Sequence, residues 1–194
     1  MKKEREITVL VTTDYETIKT ELEKNNFQIV EEYELNDAYM VDKNIETSQL
    51  STLEILWKCI LVRDVVDVEK LLVYKEKKYA ENWDILEEWK VECPITDVSK
   101  AIDFMNSINY KTLFQIHDEC KVFTNNESEL VVQLVNNKYI FIEMESKCRH
   151  IDRYYNSINE LKEDINRYNL PIDTTSYFVK KAEIILKSIL NNRK

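Results

Sequence analysis

Glutamates occur at alternate positions in two apolar segments of the chain. In KEREITVLV, residues 3–11, Glu4 and Glu6 are followed by apolar residues at 7, 9 and 11, and residues 138–146 contain Glu143 and Glu145 in the same alternation. Because alternate residues of a β-strand share one face, each pair would present its carboxylates together. Such a surface could hold a hard divalent cation, which prefers oxygen ligands, or it could simply face solvent.

Basic residues follow the same period in other segments. Lys75 and Lys77 lie two apart in LLVYKEKKY, and Lys90 lies between two alternating glutamates. These side chains could neutralise a bound phosphate, or they could pair with the glutamates in a polar interior. Both interpretations stay open at this level.

The chain contains no glycine. This excludes the P-loop, the dinucleotide-binding GxGxxG turn and the GxSxG nucleophile elbow, because each needs backbone geometry that glycine provides. Any phosphate would therefore have to be held by side chains. Turns are predicted at the asparagine pairs 25–26, 125–126 and 136–137, since asparagine tolerates left-handed backbone better than most residues.

Eight segments alternate with the period of a strand that has one buried face. They cover residues 4–12, 27–34, 58–65, 70–79, 87–93, 112–124, 129–135 and 138–146. Helices are predicted after the capping box Thr13-x-x-Glu16, after Asp97, after Ser157 and from about Ser176 to Leu190. Most connections between consecutive strands are short, which favours antiparallel pairing, so the predicted class is α+β.

Length and a weak internal repeat favour one domain spanning residues 1–194. The segments 13–27 and 96–110 align without a gap: each opens on Thr-Asp, keeps its apolar residues in phase, and closes on asparagine followed by an aromatic residue. The repeated unit is predicted to span 4–40 and 88–124.

Closure of the sheet would decide where the charged faces point. If eight antiparallel strands form a barrel with helices packed outside, the apolar faces lie under the helices and the acids and bases point inward. The predicted fold is therefore a closed eight-stranded antiparallel β tunnel with a wet, charged interior. An open sheet with solvated charged faces is the alternative.

Several segments resemble, in order, the motifs of the CYTH domain, or triphosphate tunnel metalloenzyme, family. That family includes class IV adenylate cyclases, thiamine triphosphatases and inorganic triphosphatases. EREIT (4–8) resembles the ExExK signature, CILVR (59–63) resembles A-L-R-I-R, and LVYK (72–75) resembles L-T-Y-K. VVQLVNNKYIFIEME (131–145) is similar to L-D-x-V followed by F-V-E-I-E, and SYFVKKAEIIL (176–186) is similar to the closing helix.

The resemblance implies a tunnel in which glutamates bind Mg²⁺ or Mn²⁺ and basic residues bind a triphosphate. The implied metal ligands are Glu4, Glu6, Glu143 and Glu145. The implied catalytic residues are Glu4, Glu6, Arg63 and Lys75, and the implied substrate-binding residues are Arg63, Lys75, Lys77 and Lys90. The expected function is triphosphate hydrolysis or adenylate-cyclase-type chemistry on a triphosphate-containing or other phosphorylated small molecule.

Four positions depart from the family motifs and put activity in doubt. The lysine of ExExK is Thr8, the first arginine of A-L-R-I-R is Leu61, the aspartate of L-D-x-V is Gln133, and Cys120 replaces a further basic residue. A triphosphate held by side chains needs several cations. A metal-dependent or smaller phosphorylated ligand is therefore favoured over tight binding of free ATP, and a catalytically degenerate binding module is the alternative function.

A basic aromatic segment, KCRHIDRYY (147–155), follows the second glutamate pair. The resemblance implies a loop near the tunnel mouth, where Arg149 or Arg153 could replace a missing phosphate ligand. A solvated loop is the alternative. His117 and His150 are predicted to be surface or partly buried residues without a catalytic role, because neither falls on a family motif.

The net charge of −9 and an isoelectric point near 4.9 argue against nucleic-acid or anionic-membrane partners, which need clustered lysine and arginine. No apolar run approaches the roughly 20 residues of a membrane span, and the first residues lack the hydrophobic segment of a signal peptide. A cytoplasmic protein is therefore predicted. A homodimer and the identity of the substrate stay open.

Overall fold

The computed structural model describes residues 2–79 and 85–191, with side chains described for residues 5–76 and 89–191. The strands are β1 Lys2–Glu4, β2 Glu6–Leu10, β3 Gln28–Asp42, β4 Ile60–Val65, β5 Glu69–Tyr79, β6 Ile85–Pro94, β7 Tyr110–Thr124, β8 Glu129–Val135 and β9 Tyr139–Glu145. The helices are α1 Tyr15–Lys24, α2 Thr52–Trp57, α3 Val98–Ser107, α4 Ile158–Asn166 and α5 Lys181–Asn191. Over the described ranges, no helix has the length and hydropathy needed to cross a membrane.

Every ladder of the sheet is antiparallel, and the strand order is β1-β6-β5-β4-β3-β7-β8-β9-β2. The predicted antiparallel sheet with helices is therefore confirmed. The two edge strands, β1 and β2, are divided only by Arg5, which is why eight predicted strands become nine. Among the described residues no hydrogen-bonded ladder joins β1 to β2, so hydrogen bonding does not show the predicted closed barrel.

The strands that carry the glutamates bury their apolar face under two helices. Ile7 and Val9 of β2 lie in one buried cluster with Ile142 and Met144 of β9. From α1 and α4 the same cluster contains Ile18, Leu22, Leu161 and Ile165. The apolar residues at alternate strand positions pack against apolar residues spaced three or four apart on the helices. The glutamates between these strand residues therefore point to the other side of the sheet.

Two helices pack on the inner face, contrary to the prediction that all helices lie outside. Ile55 of α2 and Leu186 of α5 share a buried cluster with Phe114 of β7 and Phe141 of β9. Phe141 is two residues from Glu143 and therefore lies on the same face of its strand. The inner surface is thus apolar at one end and charged at the other. The prediction missed α2 because six residues are too few to show a helical period.

Helix starts follow local cap chemistry. The side chains of Asp97 and Ser157 cap α3 and α4 as predicted. The predicted capping box at Thr13 is wrong by one residue, because Asp14 caps α1 and accepts a hydrogen bond from the backbone N–H of Thr17 at 2.8 Å. Aspartate is at least as good an N-cap as threonine, and its charge suits the positive end of the helix dipole. The predicted last helix begins at Lys181, not at about 176.

Asparagine takes the place of glycine at the turns. Positive φ values occur at Asn26, Asp67, Asn109, Asn126, Asn136, Asn137 and Asn169. Each of the three predicted asparagine pairs contains at least one of these residues, so the turn predictions are confirmed. Asn26 and Asn109 close equivalent helices of the segments 4–40 and 88–124, which both run strand, helix, strand.

Candidate functional site

The inner face of the sheet encloses a cavity of about 400 Å³. Six predicted site residues line it: Glu6, Arg63, Lys75, Lys90, Glu143 and Glu145. Thr8, Leu61 and Gln133, three of the positions that depart from the family motifs, line it as well. The side chains of Glu4 and Lys77, which the sequence also predicts here, lie outside the described part of the structure.

Three carboxylates meet where β2 pairs with β9. Glu6 lies opposite Glu145, and Thr8 lies opposite Glu143, in the antiparallel register. One carboxylate oxygen from each of the three glutamates lies within 4.8 Å of the other two. Three oxygen ligands at this spacing fit a hard divalent cation such as Mg²⁺ or Mn²⁺, which keeps water at its remaining positions.

The crowding of these acids changes their affinity for protons. Burial and the neighbouring Glu143 raise the pKa of Glu145 to about 7. Burial also acts to raise the pKa of Glu143, but Lys181 and three other cations hold it below its ordinary value. At neutral pH Glu143 is therefore a carboxylate, whereas Glu145 is about half protonated. A divalent cation beside them would relieve this repulsion.

A stability measurement can test the raised pKa of Glu145. The folded, metal-free chain keeps a proton on Glu145 up to about pH 7, whereas the unfolded chain releases it near the ordinary value of 4.5. Stability from this residue should therefore fall as pH rises from about 4.5 to 7, by about 2 kcal/mol. Urea unfolding at pH 5 and pH 8 measures this effect. From pH 5 to pH 8, the free energy of unfolding of Glu145→Gln should rise by that amount relative to the free energy of unfolding of the unmodified chain. An equal difference at both pH values would contradict the shift.

Lys181 is a central cation of the cavity, although the sequence motifs did not predict it as a site residue. Its Nζ donates a hydrogen bond to Gln133 Oε1 at 2.6 Å. The same Nζ lies 3.6 Å from Glu143 Oε2 and 3.5 Å from Asp118 Oδ2. Lys181 is the first residue of α5, where a positive charge opposes the helix dipole. The sequence predicted a helix from about Ser176 and thus placed Lys181 inside it, so no signal in the sequence identified this residue.

Arg63 is held by a carboxylate of the cavity wall. Its Nε and Nη2 donate to Oδ1 and Oδ2 of Asp37 at 2.7 and 2.6 Å, and the register of β3 with β4 sets the two residues opposite each other. Burial acts to lower the pKa of Arg63, but the paired Asp37 raises it well above its ordinary value. The salt-bridge alternative therefore describes Arg63, although its partner is Asp37 and not one of the glutamates.

Neither a protein-family model nor a curated protein sequence matches the chain, but solved structures do. The PH1819 protein from Pyrococcus horikoshii OT3 has a TM-score of 0.65 at 15% identity, covering 95% of this chain and 99% of that one. HpAC1 from Hippeastrum is a candidate adenylyl cyclase with a dominant triphosphatase activity. It has a TM-score of 0.62 at 10% identity, and the match covers 95% of each chain. A candidate adenylate cyclase from Vibrio parahaemolyticus has a TM-score of 0.57 at 11% identity, covering 95% of this chain and 97% of that one.

The chain has the CYTH-type fold. The resemblance predicted from the motifs is thereby confirmed for the fold. Identities this low say nothing further about this chain, so what the CYTH-type cavity does has to be argued from its own side chains.

One of the two arginines predicted near the mouth reaches the CYTH-type cavity. Arg149 lines it, with Nη2 3.9 Å from Glu145 Oε1. Glu129 fixes the loop by accepting hydrogen bonds at 2.7 Å from the backbone N–H groups of Arg149 and His150. Arg153 instead pairs with the buried carboxylate of Asp164, which does not line the cavity. Arg149 is therefore the member of this loop that could contact a ligand.

Asp118 is a buried acid in the strand where the CYTH motif has basic residues. Asp118 is 4% exposed, and its Oδ1 has no hydrogen-bond partner in the described part of the chain. Burial raises its pKa even though Lys181 lies beside it. With Asp37 and Asp118 in the wall, two of the cavity's cations, Arg63 and Lys181, are already paired with acids.

Proposed function

We propose that this chain is a CYTH-like protein that binds a triphosphate-containing or other phosphorylated small molecule together with Mg²⁺ or Mn²⁺. It would act on that ligand by triphosphate hydrolysis or adenylate-cyclase-type chemistry. The observation that carries the proposal is the convergence of Glu6, Glu143 and Glu145 beside Lys181 in one cavity. The activities named for the fold's neighbours support the same general kind of chemistry.

The carboxylate group would hold the metal. Glu6, Glu143 and Glu145 supply oxygen ligands at suitable spacing, and Glu4 is proposed as a fourth. A bound divalent cation would draw a phosphate to this side of the cavity and neutralise charge on its oxygens. Lys181 has a distinct role, because it keeps Glu143 ionised and therefore able to bind metal.

Two reactions suit such a site. In hydrolysis, water attacks the terminal phosphorus, and the bond to the bridging oxygen breaks with its electron pair leaving on the shortened ligand. In the cyclase reaction, the ribose 3′-hydroxyl attacks the α-phosphorus and pyrophosphate leaves. Both reactions build negative charge on phosphoryl oxygens, which Arg63, Lys75 and Lys90 would stabilise from the cavity wall.

The test is metal-dependent turnover. With Mn²⁺, release of phosphate or pyrophosphate is expected from at least one of tripolyphosphate, ATP and thiamine triphosphate, and cyclic AMP identifies the cyclase reaction. The Glu4→Gln/Glu6→Gln variant is expected to be at least about 100-fold slower. Losing these ligands weakens binding of the divalent cation, whose positive charge would stabilise the transition state. Glu34→Gln, an exposed strand glutamate, is the matched control. The enzymatic proposal fails if the unmodified chain turns over none of these substrates.

A non-catalytic binding module is the second candidate. The bidentate pair between Arg63 and Asp37 and the sharing of Lys181 between Glu143 and Asp118 favour it, because both cations are partly neutralised before a ligand arrives. Mn²⁺-dependent binding of tripolyphosphate in calorimetry, without turnover of any of the three substrates, is the result expected of this module.

A further inference from the structure

We infer that the phosphorylated ligand carries an apolar organic group, alkyl or aryl, which packs against one wall of the cavity. The inference rests on the proposed function, because the phosphate and the metal would occupy the carboxylate side. It narrows the ligand class from phosphorylated molecules in general to phosphate esters of apolar alcohols.

The cavity has two walls of different chemistry. The charged wall consists of Glu6, Glu143, Glu145 and Lys181. The apolar wall consists of Tyr39, Leu53, Leu56, Trp57, Leu61 and Leu71. β2, β9 and α5 contribute the first set, whereas β3, β4, β5 and α2 contribute the second. β3, β4 and β5 also place Asp37, Arg63 and Lys75 in the cavity, so the apolar side chains lie beside charged ones on these strands. A ligand that fills the cavity would therefore touch both kinds of surface.

The register places the apolar side chains on the inner face of the sheet. Leu61 lies opposite Tyr39 in the pairing of β3 with β4, and Leu71 lies opposite Arg63 in the pairing of β4 with β5. Leu61 is two residues from Arg63, so both point to the same side. Where the CYTH motif has an arginine, this chain has Leu61, and an apolar contact replaces a phosphate ligand.

The apolar wall extends to the solvent. Trp57 and Val68 both line the cavity, and they are 39% and 71% exposed. Single exposed apolar side chains are common on soluble proteins, but ligand pockets are lined mainly by apolar and aromatic side chains, and these two residues border the cavity. An apolar group could therefore enter along this side without crossing the charged wall.

The supply of positive charge limits how much phosphate the cavity can hold. Among the described residues that line it, eight are acidic and six are basic. Of the bases, Arg63 is bound to Asp37, and Lys181 is shared between two acids. Inorganic tripolyphosphate can bind only through its charge, and the acidic residues that line the cavity outnumber the basic ones. An ester of a less charged phosphate gains from the apolar wall as well.

The test is calorimetry of the full chain with Mn²⁺ and n-alkyl phosphates from methyl to hexyl, with phenyl phosphate, inorganic phosphate and tripolyphosphate as references. Affinity is expected to rise about fourfold per methylene group over the first few carbons, because each buried methylene is worth about 0.8 kcal/mol. An affinity that does not change with chain length overturns the inference.

Variants locate the contact. Leu71→Asn keeps the branched shape and the number of heavy atoms of the side chain. It is expected to cut the rise in affinity to about twofold or less per methylene group, because a polar group then faces the alkyl chain. Tyr74→Asn, in the same strand but 44% exposed on the other face, should keep the full gain. Leu61→Arg is an independent variant. It should bind tripolyphosphate at least about tenfold more tightly and hexyl phosphate more weakly.

The outcomes separate this inference from the proposed function. If tripolyphosphate binds with Mn²⁺ but the affinity does not change along the alkyl series, the inference is overturned, and the metal-dependent phosphate binding of the proposed function stands. If no phosphate binds in a metal-dependent manner, both are overturned. If Leu71→Asn and Leu61→Arg both leave the unmodified gain per methylene group, the apolar wall is not the contact and the inference is overturned.

Discussion

Replacing Glu143 with glutamine is expected to weaken Mn²⁺ binding by at least about 100-fold. Loss of groups that merely orient metal ligands costs about 10- to 100-fold in affinity, so loss of a charged ligand should reach the upper end or exceed it. The same change should strengthen metal-free binding of tripolyphosphate, because Lys181 Nζ, 3.6 Å from Glu143 Oε2, loses a competing carboxylate. Calorimetry with each ligand alone measures both effects.

The opposite signs make this experiment informative, since misfolding would weaken both ligands. Glu34→Gln removes a glutamate from an exposed position of β3 and should change neither affinity. Mn²⁺ affinity within about threefold of the unmodified chain would exclude Glu143 as a ligand. The metal site would then have to be sought elsewhere.

Asp164→Ala is expected to destabilise the fold by about 3–5 kcal/mol, because it leaves buried partners without their shared carboxylate. Asp164 is 3% exposed and accepts hydrogen bonds at 2.5 Å from Ser128 Oγ and from Tyr155 OH. Arg153 Nη2 donates to its Oδ1 at 3.2 Å, and Arg167 Nε forms an ion pair with the same oxygen at 3.0 Å. The residue thus ties α4 to the turn before β8 and to the loop after β9.

Urea unfolding of Asp164→Ala beside Asp103→Ala measures this effect. Asp103 is exposed on α3, and its replacement should change the free energy of unfolding by less than about 0.5 kcal/mol. Asp164→Asn keeps the shape and some hydrogen bonds, so it should fall between the two. A loss below about 1 kcal/mol for Asp164→Ala would show that the cluster is not a stability centre.

Local and periodic features were predictable from the sequence. The strand segments follow from alternation, and the caps at Asp97 and Ser157 follow from side chains that bond to their own helix. The positive φ of Asn26 follows from the need for turns in a chain without glycine. These features depend on residues close together in the chain, which is why pattern alone was enough.

Features that depend on distant residues were harder to predict. The pairing of Arg63 with Asp37 joins β3 to β4. The contacts of Lys181 join α5 to β7, β8 and β9. The alternation of apolar and charged residues predicted a wet, charged interior, but part of the inner face is apolar. Leu61 and Phe141 share the inner face with charged residues, so one face of a strand can serve a core at one end and a site at the other.

The pairing of β2 with β9 has a consequence for how the chain is made. Residues 6–10 are synthesised well before their ladder partners, which are residues 141–145. Ile7 and Val9 must therefore wait, without their native cover, for most of the polypeptide to be synthesised. So long a separation between partners predicts slow maturation, with a period in which chaperones can bind the nascent segment that contains β2.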